Sequence, residues 1–103
     1  MNNNVELQVL LENLRQDEKN KKLAEDFLLQ ASEEGNVNFV QLLLLIVDKI
    51  PQNVLRRAVE NERPEVVKLL LDAGADVHAE EDLVLRLAVS NGNAKIVKLL
   101  LEA

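Results

Sequence analysis

Few residues in this chain could carry chemistry, and their spacing limits what they can do. His78 is the only histidine and there is no cysteine. One imidazole without thiolates does not make a zinc site, so His78 is expected to hydrogen-bond within a turn. The run Glu80, Glu81, Asp82 offers hard oxygen ligands to Ca²⁺ or Mg²⁺. Calcium loops interleave such ligands with a glycine turn, and this run contains none. Glu33 and Glu34 are adjacent, so on a helix their side chains diverge by about 100° and do not converge as an acid–base pair. Ser32 and Ser90 have no neighbouring histidine to activate them. Arg56 and Arg86 are 30 residues apart. They are expected to make an inter-repeat hydrogen bond or an ion pair with an acid such as Asp82; a paired anion site is the alternative. The expectation is no catalytic centre, no metal and no cofactor.

The elements that position these residues are announced by a recurring triplet. Val9-Leu10-Leu11, Leu42-Leu43-Leu44, Leu69-Leu70-Leu71 and Leu99-Leu100-Leu101 are spaced by 33, 27 and 30 residues. Periods in this range mark a solenoid, whose units bury their apolar faces only against their neighbours. Residues 54–73 (VLRRAVENERPEVVKLLLDA) and 84–103 (VLRLAVSNGNAKIVKLLLEA) agree at twelve of twenty positions, so the unit is duplicated.

Composition narrows the class. A chain of 103 residues suits one domain with one modest core. The apolar residues are mostly Leu, Val and Ala, with only Phe27 and Phe39 as aromatics and no Thr, Tyr or Trp. That favours packed helices over sheet. The formal charge of −6 opposes nucleic-acid binding, which relies on Lys and Arg against phosphate. It suits solubility or a basic protein partner. The longest apolar run, residues 42–47, is far below the ~18 residues of a membrane span. The N-terminal MNNNVELQ lacks the basic and apolar regions of a signal peptide. A soluble, intracellular, cytoplasmic protein is expected, with neither nucleic acid nor membrane as partner.

Each full unit reads as helix, tight turn, helix. In the second, an inner helix is expected over about 54–61 and an outer helix over about 64–73. Val66, Val67, Leu70 and Leu71 of the latter form one apolar face at helical spacing. Pro64 suits the first turn, where a missing N–H costs nothing. Asn36 and Asn93 stand at the matching N-cap of the other two outer helices. Gly35 and Gly92 precede them, where the inner helix must stop and reverse. Glu62 takes that place in the middle unit, so it is expected to have φ > 0. The segment LQVLLE (residues 7–12) matches an outer helix alone. The polar stretch QDEKNKK (residues 16–22) is expected to be a connection or an exposed helix end.

These residues resemble the ankyrin repeat family. Its approximate pattern, TPLHxAAxxGHxxIVKLLLxxGADVNA, is followed in its second half by Val67 through Ala79 (VKLLLDAGADVHA) and in its first half by Leu85 through Asn93 (LRLAVSNGN). The short period, and Leu-Arg where Leu-His is usual, resemble ankyrins of large DNA viruses and some intracellular bacteria. The resemblance implies an all-α, ankyrin-type solenoid: a capping helix and linker (5–22), then repeats 23–50, 51–80 and an incomplete 81–103. The β-hairpin fingers are expected to be short, and the first absent, because no Gly-Ala-Asp follows Ile46. Asp26 and Asn53 are placed to cap at the absent Thr position. His78 falls at the family's finger Asn, and Ser32 at a packed Ala.

The resemblance also implies a non-catalytic protein–protein interaction module, binding on a concave face of finger tips and inner helices. Here that face is Gln30, Glu33 and Glu34; Gln52, Arg57, Glu60 and Asn61; and Glu80, Glu81, Asp82, Ser90 and Asn91. It is mostly acidic and amide, which suits a basic partner. The alternative is a structural unit that self-associates. The last repeat carries Leu87 and Ala94 where the second has Arg57 and Pro64, so Leu87, Ala94 and Leu99 are expected to mediate a dimer or a head-to-tail oligomer.

Overall fold

The computed structural model describes residues 3–103, excluding the side chains of Asn3, Asn4, Leu14, Arg15 and Glu80. Seven helices and no strand occur among the described residues: α1 (Asn3–Gln16), α2 (Glu18–Glu34), α3 (Val37–Leu44), α4 (Gln52–Glu60), α5 (Pro64–Asp72), α6 (Ala79–Asn91) and α7 (Ala94–Glu102). The fold is the expected all-α solenoid. α1 stands alone against α2. The rest form the pairs α2–α3, α4–α5 and α6–α7, with inner helices stacked α2 on α4 on α6 and outer helices α3 on α5 on α7. The molecule is elongated, 50 × 25 × 21 Å.

One backbone device makes all three turns within the pairs. Gly35 (φ 73°), Glu62 (φ 54°) and Gly92 (φ 70°) occupy the left-handed region, as the alignment of the units predicts. The next residue then donates back to the carbonyl five residues earlier: Asn36 to Ala31 at 2.9 Å, Arg63 to Ala58 at 2.9 Å, Asn93 to Ala88 at 3.4 Å. This is the helix-ending pattern that a left-handed residue permits. The following helix starts on a side-chain cap in two cases. Asn36 Oδ1 accepts from the Phe39 N–H at 3.2 Å, and Asn93 Oδ1 from the Ile96 N–H at 3.1 Å. Arg63 makes no side-chain cap; Pro64 at the first turn removes one of the donors that would need it.

Two caps expected from the sequence lie elsewhere. Asp26 sits inside α2, paired with Lys22 at 3.3 Å. The helix instead starts at Glu18, where Asp17 Oδ1 accepts from the Lys19 and Asn20 N–H groups at 3.0 and 3.4 Å. Residues 16–22 are thus mostly an exposed helix end. A good cap upstream and a Lys–Asp pair four apart carry the helix through Asp26. Asn53 likewise lies inside α4, which begins after Pro51 without a side-chain cap. Proline there fixes φ at −61° and has no N–H to leave unpaired.

The core is one continuous strip. Leu28 and Ala31 of α2, Val40 and Leu43 of α3, Leu55, Ala58 and Val59 of α4, Val66, Val67 and Leu70 of α5, Val84 and Ala88 of α6, and Ile96 and Leu100 of α7 are all buried in it. The repeats are joined by short connections. Residues 45–51 carry no glycine turn. Between α5 and α6, Gly74 (φ 98°) reverses the chain and the Ala75 N–H reaches the Leu70 carbonyl at 2.9 Å. Glu81 and Asp82, at the start of α6, also have positive φ (56° and 62°), marking the shortened finger.

Candidate functional site

Stacking the inner helices puts equivalent positions in rows. Gln30, Glu33 and Glu34 on α2 correspond to Arg57, Glu60 and Asn61 on α4 and to Leu87, Ser90 and Asn91 on α6. Gln30, Glu34, Arg57, Glu60, Asn61, Ser90 and Asn91 are exposed, while Glu33 and Leu87 are half-buried. Gln52 is exposed at the start of α4, and Glu81 and Asp82 at the start of α6. The Glu80 side chain lies outside the described residues.

Part of this surface is spent on joining repeats. Arg57 Nη1 donates to Glu33 Oε1 at 2.9 Å. Arg63 Nε donates to the Glu33 backbone carbonyl at 3.0 Å, against Gly35. Two arginines of the second repeat therefore grip the end of the first inner helix, so Glu33 serves the stack as well as the expected partner face. Glu60 is 3.5 Å from Arg56, and Asn61 Nδ2 donates to the Arg57 carbonyl at 2.8 Å. Gln30 donates to Glu34 at 3.1 Å. The acidity with least internal neutralisation is at Glu34 and Glu81.

Among the described contacts neither Arg56 nor Arg86 meets Asp82. Arg56 reaches Glu60, one turn on, and Arg86 Nη2 donates to the Glu81 carbonyl at 3.4 Å. Asp82 faces His78 instead, with Oδ1 2.6 Å from Nδ1. The His78 N–H also donates to Asp76 Oδ1 at 2.9 Å, so this residue does hold the turn. The hydrogen bond and charge of Asp82, with a smaller contribution from Asp76, raise the His78 pKa above its ordinary value. Among the described residues, no group of three or more His, Cys, Asp or Glu is placed to hold a metal ion.

The two ends of the stack differ from its middle. Val89, Val97 and Leu101 border a shallow groove of about 560 Å³ with Ala94 and Lys98. Of the residues expected to mediate self-association, Ala94 lies exposed in this groove, whereas Leu87 and Leu99 are half-buried against the core. Val89 and Leu101 lie outside that expectation, although the repeat alignment carries the signal: their counterparts Val59 and Leu71 are buried and half-buried. At the other end, Val5, Leu7, Val9 and Leu10 of α1 are exposed.

Stacked helix pairs, left-handed turn residues and a row of polar side chains along the inner helices define a helical-repeat scaffold. The family model described as "Ankyrin repeats (3 copies)" matches residues 1–81 and again 28–103. The chain belongs to the ankyrin repeat family, whose members generally act in protein–protein interaction and are generally not enzymes. No curated protein and no solved structure matches the chain. Among the described residues no helix is long and apolar enough to cross a membrane.

Proposed function

We propose that this protein is a non-catalytic cytoplasmic interaction module that binds a basic partner on the inner-helix face. The observation that supports this most is the row of exposed acidic and amide side chains at equivalent positions of stacked helices. Glu34, Asn61 and Asn91 occupy one position of successive repeats, and Glu33, Glu60 and Ser90 the position before it. A rigid array presents such a row without ordering cost at binding. Glu34, Glu60 and Glu81, with Gln30, Gln52 and Arg57 around them, supply the charge and the hydrogen bonds. Glu33 acts mainly by holding Arg57. Glu80, Asp82, Ser90 and Asn91 complete the surface.

Selection of displayed peptides against the native protein tests this. Binders should be rich in Lys and Arg, associate more slowly as salt rises, and be lost on combined Glu34→Lys, Glu60→Lys and Glu81→Lys. Binders that survive all three reversals would move the site off this face.

The exposed apolar residues at both ends support a second reading, self-association through the array ends, with Leu87, Ala94 and Leu99 near the contact. Light scattering across a concentration series reads it directly. A constant mass of 11.6 kDa would reject it.

A further inference from the structure

The last repeat exposes what the second repeat buries at the same positions. Val59 is 0% exposed and Val89, 30 residues on, is 61% exposed. Val67 is buried and Val97 half-buried; Leu71 is half-buried and Leu101 is 67% exposed. The difference is the stack itself: α6 and α7 lie on α4 and α5, and no described element lies on α6 and α7. The uncovered surface is therefore shaped for a helix with an aliphatic face.

The same molecule carries such a helix: α1 rests on α2 and leaves leucines exposed. In the triplet alignment Leu10 of α1 matches Leu43, Leu70 and Leu100, all buried, yet Leu10 is 55% exposed. Leu7 matches the buried Val40 and Val67 and is exposed too. Leu7 and Leu10, three apart, share one helix face, and Glu6 flanks it. Glu6 stands where other outer helices bury Val66 or Ile96 and half-bury Phe39, a change that makes the edge of this face polar. The groove is rimmed by Lys98 and, beside Leu101, by Glu102, and Lys95 lies on the same helix. Within the array an acid–lysine pair already links neighbouring outer helices, Glu65 to Lys95 at 3.8 Å.

We propose that α1 of one copy docks into the Val89–Val97–Leu101 groove of another, leucine face inward and Glu6 toward Lys98. This deepens the self-association reading and rests on it. Donor and acceptor are at opposite ends of an elongated molecule, so the contact is head-to-tail and produces open chains or closed rings, not a two-fold dimer.

Complementation between two variants tests it. Leu10→Arg removes the donor face and leaves the groove; Leu101→Arg removes the groove and leaves the donor. Both positions are exposed, so each variant should fold, which circular dichroism verifies. By light scattering the native protein should grow in mass with concentration, and each variant alone should remain at 11.6 kDa. Mixing the two should restore one interface and give a 1:1 pair of twice that mass that grows no further. A native protein that stays monomeric overturns self-association altogether. A native protein that assembles while Leu10→Arg still dimerises means that the grooves meet each other. Dimerisation by Leu101→Arg alone means that α1 meets α1. Either result, or failure of the mixture to pair, overturns the docking of α1 in the groove.

Discussion

The second and third repeats have the same helix pair, and much the same residues, in two different settings. In the second, Val59, Val67 and Leu70 are enclosed because repeats stand on both sides. In the third, Ile96 and Leu100 are buried toward the second repeat, while Val89 and Leu101 face outward. Side-chain identity is the same at Val59 and Val89; only the neighbour differs. In a linear array, burial is a property of position in the stack, so stability and exposed binding surface are two consequences of the same arrangement.

Breaking that comparison most sharply requires a charge at both positions. Val59→Asp buries a carboxylate in the apolar core and should cost more than about 4 kcal/mol, enough to unfold a domain of this size. Val89→Asp should change stability by less than about 0.5 kcal/mol at concentrations where the protein is monomeric. Urea unfolding followed by circular dichroism measures both. Similar losses would mean that Val89 is enclosed.

The turns extend the comparison at smaller cost. Alanine at Gly35 or Gly92 must adopt positive φ, worth about 1 kcal/mol each. At Gly92 an added Cβ meets nothing within 4 Å. At Gly35 it would stand 2.9 Å from Arg63 Cδ, displacing the arginine that bonds to the Glu33 carbonyl. Gly35→Ala should therefore destabilise more than Gly92→Ala, by about 0.5–1 kcal/mol for the lost hydrogen bond. Equal losses in thermal unfolding would show that Arg63 holds nothing.

Glu62 already pays this conformational penalty, so Glu62→Gly should raise the thermal midpoint by a few degrees. A fall would mean that the 3.4 Å contact from Asn93 Nδ2 to Glu62 Oε1 outweighs the backbone strain.

The smallest effect concerns His78. Its pKa is raised in the folded protein, so its link to Asp82 contributes fully below the ordinary histidine range and is lost as pH rises through the folded value. An NMR titration should place the His78 midpoint above that of an unstructured histidine, and Asp82→Ala should lower it. An unchanged midpoint in the variant would remove Asp82 as the cause.

Local signals made much of this fold legible. Asn36 and Asn93 cap where the alignment puts them, because a cap bonds only three residues ahead. Glu62 inherits its backbone angle from the glycines of the sister turns. Asp26 and Asn53 misled because a helix start is a competition, and Asp17 and Pro51 stand upstream of them. The grip of Arg57 and Arg63 on Glu33 was invisible, since it joins residues 24 and 30 apart and depends on how two repeats stack. The groove at Val89 and Leu101 is legible in the alignment through residues that stay the same while the repeat beside them is missing, whereas Leu87 and Ala94 are positions where the residue changes.

Native-state hydrogen exchange tests most directly whether neighbours set stability along the array. In dilute solution the amides of α4 and α5 should be the best protected and those of α7 and α1 the least, although α5 and α7 share the core stretch VKLLL. Raising the protein concentration should increase protection in α7 and α1 together and leave α4 and α5 unchanged. Protection in α7 equal to that in α5 at the lowest concentration would contradict the account, because the shared helix pattern would then suffice without a neighbour.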